Sequence, residues 1–299
     1  MPQHPPRPLP RWIAWVGDSA RNELAWARAA AAAIAPVHDA DSEQTPPGSP
    51  TVTPTITLVA TDRPGRFHLA TAAAIARRWP LTVLVAVATS LADGRRRSGP
   101  PLPGIEEVPW CDLPSRLRWW LAELDAGRPG MLGLPATTRR EDRVFEAAIQ
   151  TRNRRPVPPL RHRVALAARH ATDLEGLAGL VTAVGHEVTA ACARRPPMDL
   201  DADVLLWDVE ALDARSLEWL RLFTAHRPRL PVVLLDSFPH YDSAAAAFAA
   251  GAKAVLSRPL SLEALAGTLL APQAPAGTVF PSGTVFPLGT VFPRGTGVG

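Results

Sequence analysis

Three strand-like apolar runs in the second half of the chain end in groups that can do chemistry. Asp208 closes Val204-Leu205-Leu206-Trp207, Asp236 and Ser237 follow Pro231–Leu235, and Arg258-Pro259 comes just after Ala254-Val255-Leu256. Brought together at one end of a sheet, the two carboxylates and the guanidinium would make a charged pocket in which Asp236 could pair with Arg258 or Arg169. Two motifs in the first half offer other chemistry. Gly17-Asp18-Ser19 follows the apolar run Trp12–Val16 and presents a serine that could attack an acyl carbon, given a histidine base and an orienting acid. Gly94-Arg95-Arg96-Arg97-Ser98-Gly99 could hold a phosphate through guanidinium forks and loop amides.

The elements that would position these groups follow from pattern. In the second half, strands are expected at Arg163–Ala167, Glu187–Ala191, Val204–Trp207, Pro231–Leu235 and Ala254–Leu256. Helices are expected between or after them. One opens at a Thr172/Glu175 capping box and stops at Gly185. Others cover 211–225 and 242–250, the latter closed by Gly251, and 261–270, capped by Ser261. Strands alternating with helices imply a parallel sheet covered on both faces, and five units match a flavodoxin-like, doubly wound α/β sheet. The first half gives strands at 12–16, 56–60, 81–88 and 105–108, with helices at 20–35, 67–79 and 114–124. No second strand is visible there, 37–54 reads as a long loop, and 93–100 reads as a turn-rich basic loop. The resulting division is a flexible arm (1–10), an α/β domain (11–125), an Arg/Pro-rich linker with a short helix (126–160), a second α/β domain (161–271) and a disordered tail (272–299). The tail repeats Gly-Thr-Val-Phe-Pro from Gly277, Gly283 and Gly289. Three copies are too few for a solenoid.

The order of these elements, with Asp208 ending the third strand and Arg258-Pro259 the fifth, resembles the receiver domain of bacterial response regulators. The resemblance covers about 161–270 and implies that Asp208 stands where that family carries its phosphoacceptor. It also implies that an acidic pair holding Mg²⁺ should end the first strand, where this chain has Ala168 and Arg169. The hydroxyl position after strand four is Asp236, with Ser237 next, and the usual lysine is Arg258, followed by the kept Pro259. A divalent ion needs oxygen ligands, and an arginine repels it. Phosphoryl transfer in turn depends on that ion. The pocket therefore reads as degenerate, with no cofactor, and Mg²⁺ enters only if Asp208 is a working phosphoacceptor. In the first half, Asp18, Asp62 and Thr89 fall where a second, more diverged receiver-like pocket would have them, although Cys111-Asp112 replaces the terminal Lys-Pro. What the resemblance implies is a non-catalytic signalling or scaffold protein acting through protein contacts. The partner surface, or a homodimer surface, would fall around 242–270.

The remaining features decide among alternatives. The 299 residues suffice for two domains. Net charge is +4, and every cation but Lys253 is Arg or His, so the basicity looks compositional rather than selected for phosphate. Arg139–Arg163 holds eight arginines. Glu141, Asp142 and Glu146 dilute them and no nucleic-acid motif accompanies them, so nucleic acid is not the expected partner. Gly17-Asp18-Ser19 resembles the nucleophile block of SGNH-type esterases, but the chain has no Asp-x-x-His element, and a strand-ending turn explains it better. The basic loop lacks P-loop spacing. The histidines, His162, His170 and His186 among them, show no metal-ligand spacing. Cys111 and Cys192 form no CxxC, the start lacks an apolar signal core, and no apolar stretch spans a bilayer. A cytoplasmic protein is expected.

Overall fold

A computed structural model describes residues 11–40, 53–64, 69–98, 105–128, 130–134 and 161–270, with Asp142 and Phe145. The expected arm, most of the linker and the repeat tail lie outside the described residues. The strands are β1 (Ile13–Val16), β2 (Val37–Asp39), β3 (Ile56–Thr61), β4 (Val83–Ala88), β5 (Glu106–Pro109), β6 (Arg163–Ala168), β7 (Glu187–Ala193), β8 (Val204–Glu210), β9 (Val232–Asp236) and β10 (Ala254–Ser257). The helices are α1 (Asn22–Ala32), α2 (Leu69–Arg78), α3 (Ser90–Ser98), α4 (Leu113–Asp125), α5 (Ala171–Ala183), α6 (Ala214–His226), α7 (Tyr241–Ala249) and α8 (Leu262–Leu270).

Two five-stranded sheets result, β2-β1-β3-β4-β5 and β10-β9-β8-β6-β7, and every pairing in both is parallel. Counted within each sheet, both have the order 2-1-3-4-5 of the flavodoxin-like fold. The central strands carry continuous apolar runs because helices cover both their faces. In the second sheet, Val164, Leu166, Leu206 and Val233 pack under α5 and α8. Ala165, Leu205, Trp207 and Leu234 belong to the opposite core with Leu220 and Phe223 of α6 and Ala244 and Ala247 of α7. Crossing from edge strand β7 to β8 takes only residues 194–203, which contain no helix. Arg227 ties that crossing down by donating to the carbonyls of Met198 and Leu200.

Four local expectations change. β2 exists, but its three residues are half-buried or exposed and leave no apolar run. The basic stretch after β4 belongs to helix α3, not a loop: the Thr89 hydroxyl accepts the Ala92 amide and caps it, and one interior glycine costs only about 1 kcal/mol. The Thr172/Glu175 capping box is absent, because α5 starts at Ala171 behind an extended His170 with no side-chain cap. Helix α6 starts three residues later than expected, where Asp213 accepts the Ser216 amide.

The two sheets share a buried seam. Helix α4, which follows the last strand of the first sheet, packs on α8, which follows the last strand of the second. Arg116 is buried between Glu106, at 2.8 Å, and Glu263, at 2.6 Å. Burial works against the Arg116 charge, but the two carboxylates overcome it and hold the guanidinium protonated. Asp112, also buried, accepts from the Ser257 amide at 2.8 Å and the Ser257 hydroxyl at 2.6 Å. Gly267 lets the helices touch: a Cβ there would lie 1.8 Å from the Ser115 carbonyl oxygen. At the seam's other end Trp26 stacks on Phe248 with centroids 5.7 Å apart, and the Trp110 indole donates to the Pro239 carbonyl.

The packing separates two kinds of glycine. Gly267→Ala is expected to lower stability by about 1–3 kcal/mol through collision with backbone, despite its better helix propensity. Gly176→Ala on α5, where nothing lies within 4 Å, is expected to raise stability by about 0.5–1 kcal/mol. Denaturant melts of the two variants check the contrast.

Candidate functional site

The strand ends of the second sheet bring Asp208, Asp236, Ser237 and Arg258 to one edge, as the sequence implied. The ends of β8, β9 and β10 are adjacent there, and the Arg258 amide donates to the Asp236 carbonyl. Asp208 is buried. Its Oδ1 accepts the Glu210 amide at 3.0 Å. Its Oδ2 lies 3.1 Å from Arg258 Nη1, out of line for a hydrogen bond, so this contact is an ion pair. The same guanidinium donates to Asp173 at 2.9 Å. Arg258 thus bridges two carboxylates, on β8 and on α5, and the peptide bond to Pro259 is cis.

The other pocket members have separate partners. Asp236 accepts the Phe238 amide at 2.9 Å, turning the chain after β9. The Ser237 amide donates to the Glu210 carbonyl at 2.7 Å. Arg169 reaches Glu210 at 3.2 Å, so the ion pairs considered for Asp236 are formed by Asp208 and Glu210 instead. Glu210 itself has φ +57°, unusual for a side-chain-bearing residue. Ala168 is fully buried and offers no ligand.

Mg²⁺ does not fit these residues. The two positions that would supply its acidic pair hold a methyl group and a guanidinium, and the Asp208 oxygen that could face the metal already faces Arg258. Sequence reasoning missed a different cluster, His170, Asp173 and Glu210, whose ligand atoms lie within 4.8 Å of one another. Those carboxylates are already ion-paired with Arg258 and Arg169, and His170 Nε2 lies 3.2 Å from Glu210. Nothing in the sequence pointed to Asp173 as the partner of Arg258, since 85 residues separate them.

The first sheet's counterpart positions do not converge in the same way. Asp18 accepts the Ala20 amide and is exposed. Asp62 is half-buried beside Arg63, while its carbonyl accepts the Thr89 hydroxyl at 2.8 Å. Thr89 is therefore spent on capping α3. Asp112, of the Cys111-Asp112 pair that stands where a receiver would carry its terminal Lys-Pro, accepts from Ser257 of the second sheet. Ser19 has no histidine hydrogen-bonded to it among the described residues. The 242–270 stretch, expected to face a partner, is largely used in cis: α8 is buried on α4, and Tyr241 and Phe248 meet Trp110 and Trp26. Most of the Arg-rich linker lies outside the described residues. Among those described, no helix is long and apolar enough to cross a membrane.

Strand order defines a flavodoxin-like α/β protein, with an ion-paired cluster at the strand ends of its second sheet. No family model matches the chain. No curated protein matches it either. Among solved structures it is similar to a putative pilus assembly-related protein of Burkholderia pseudomallei, with 26% identity, 39% of this chain and 90% of that one covered, and TM-score 0.34. A putative pilus assembly protein of Burkholderia thailandensis matches at 27% identity over 36% and 94% of the two chains, with TM-score 0.32. A CheY-like receiver domain of Methanospirillum hungatei matches at 16% identity over 37% and 91%, with TM-score 0.32. The flavodoxin-like description rests on the strand order rather than on these likenesses.

Burial pushes the Asp208 carboxyl above the usual carboxylate value, although the Glu210 amide and Arg258 pull it down. A carboxyl raised in the folded state adds stability in its protonated form. That contribution is complete below the ordinary carboxylate range and is lost as pH rises through the raised value. Arg258→Ala removes the cation that offsets burial, so the loss deepens. The variant should be less stable than wild type by about 1–3 kcal/mol near neutral pH, with the gap closing in acid. Denaturant melts near pH 7 and in acid test this. A gap independent of pH would sever it from the Asp208 carboxylate.

Proposed function

We propose that the chain is a non-catalytic signalling or scaffold protein, built on a pseudo-receiver and acting through protein contacts without phosphorylation. One observation carries this reading: Asp208 is buried and ion-paired with Arg258, while Ala168 and Arg169 replace the acids a metal would need. A phosphoryl group entering there would have to separate the ion pair and meet the charges of Asp236, Asp173 and Glu210 without a divalent ion to offset them. The seam between the sheets supports the same reading, because a helix already buried on its neighbour is not free to exchange partners when a pocket changes charge. The protein partner, or a second copy of the chain, would then be met on surfaces other than α8. Asp208 as a working phosphoacceptor is the alternative, favoured only by its position at the strand end.

The deciding experiment exposes the full chain to acetyl phosphate with Mg²⁺, beside Asp208→Asn. No acid-labile phosphate is expected on either protein. Label on the wild type that Asp208→Asn abolishes would make the pocket a live switch and reverse this reading.

A further inference from the structure

Between the two sheets, beside the seam, lies an open pocket of ≈ 430 Å³ including the solvent at its mouth. Its apolar lining comes from Trp26 and Ala30 of α1 and from Phe248 and Val255 on the second sheet's side, with Trp26 and Phe248 stacked, while Ser115 and Cys111 also line it. Two cations line it as well, Arg118 from α4 and Lys253 from the turn before β10. Lys253 is the only lysine in the chain. Both side chains are half-buried, and neither has a carboxylate partner among the described residues.

This arrangement differs from the other buried charges of the molecule. Arg116, two residues away on α4, has two carboxylates. Arg118 and Lys253 have each other: burial lowers both pKa values, and the charge of Arg118 lowers that of Lys253 further. Two like charges that line one pocket cost free energy that an anion bound there would recover. An anion alone would leave the aromatic floor wet, whereas an anion with an apolar body would satisfy both parts of the site.

We infer that this inter-domain pocket binds an amphipathic organic anion, its carboxylate or phosphate head held by Arg118 and Lys253 and its apolar body lying on Trp26 and Phe248. Because the walls come from both halves of the chain, the ligand would bridge them and stabilise the seam by mass action.

Calorimetric titration of the full chain with decanoate, decyl phosphate and decanol tests the inference. Decanoate or decyl phosphate should bind saturably at one site, and decanol at least about tenfold more weakly, since it lacks the charge-assisted bonds. Whichever anion binds more tightly distinguishes a carboxylic acid from a phosphate monoester as the natural class. Arg118→Gln and Lys253→Gln should each weaken binding by roughly tenfold. Ala33→Trp, at an exposed pocket-lining position, should block it while circular dichroism stays unchanged. Decanol binding as well as the anions, affinity indifferent to both cation variants, or no binding by any probe would overturn the assignment.

Discussion

Arg116 sets the constraint around which this molecule is arranged. Burying a guanidinium is costly unless it is paired and hydrogen-bonded, and the two partners of Arg116 come from different halves: Glu106 from β5 and Glu263 from α8. Satisfying it fixes α4 against α8 in one register. Gly267 permits the approach by presenting no side chain to the Ser115 carbonyl, and the hydroxyls of Ser115 and Thr268 are hydrogen-bonded at 2.8 Å. Asp112 adds a second anchor a turn earlier, through Ser257. Such buried ion pairs contribute more to specificity of packing than to net stability, since desolvation consumes much of the Coulomb gain. The apolar contacts of Trp26, Trp110 and Phe248 supply the driving force for association.

With the seam in place, the two halves lose independence. Each sheet has the same strand order, and each contributes the helix after its fifth strand to the joint. The arrangement places like elements face to face within one chain, much as an isologous contact would between two chains. It also separates the fates of charged residues that follow the last strand of each sheet. In the second half, Arg258 turns inward to Asp208 and Asp173. In the first, Asp112 turns outward to the partner sheet. One strand end closes a pocket, and the other closes the molecule.

Legibility in the sequence varied with the range of the interactions involved. The central strands, buried on both faces, announced themselves as apolar runs, and Gly185 and Gly251 marked helix ends where the structure has φ +90° and +96°. β2 was illegible because three residues at a sheet edge carry no pattern. The Arg95–Arg97 helix was misread because glycine and consecutive arginines resemble loop composition when the Thr89 cap is overlooked. The pocket was half legible: Asp208, Asp236 and Arg258 were found from strand ends, but their partners were not. Which carboxylate Arg258 would choose depended on where α5 packs, and Asp173 took the place that Asp236 had been expected to fill.

What the sequence determined by itself is therefore the succession of strands and helices, the parallel α/β class, and the absence of acids at 168 and 169. Each follows from local pattern or residue type, and distant contacts cannot change them. Tertiary structure alone decided the pairing of charges and the use of the surface around 242–270. Arg116 and Glu263 are 147 residues apart, and Asp112 and Ser257 are 145 apart. No periodicity links such positions. Only the burial of both, which leaves each charged or polar group needing a partner within hydrogen-bond reach, selects them from the many carboxylates and arginines that composition allows.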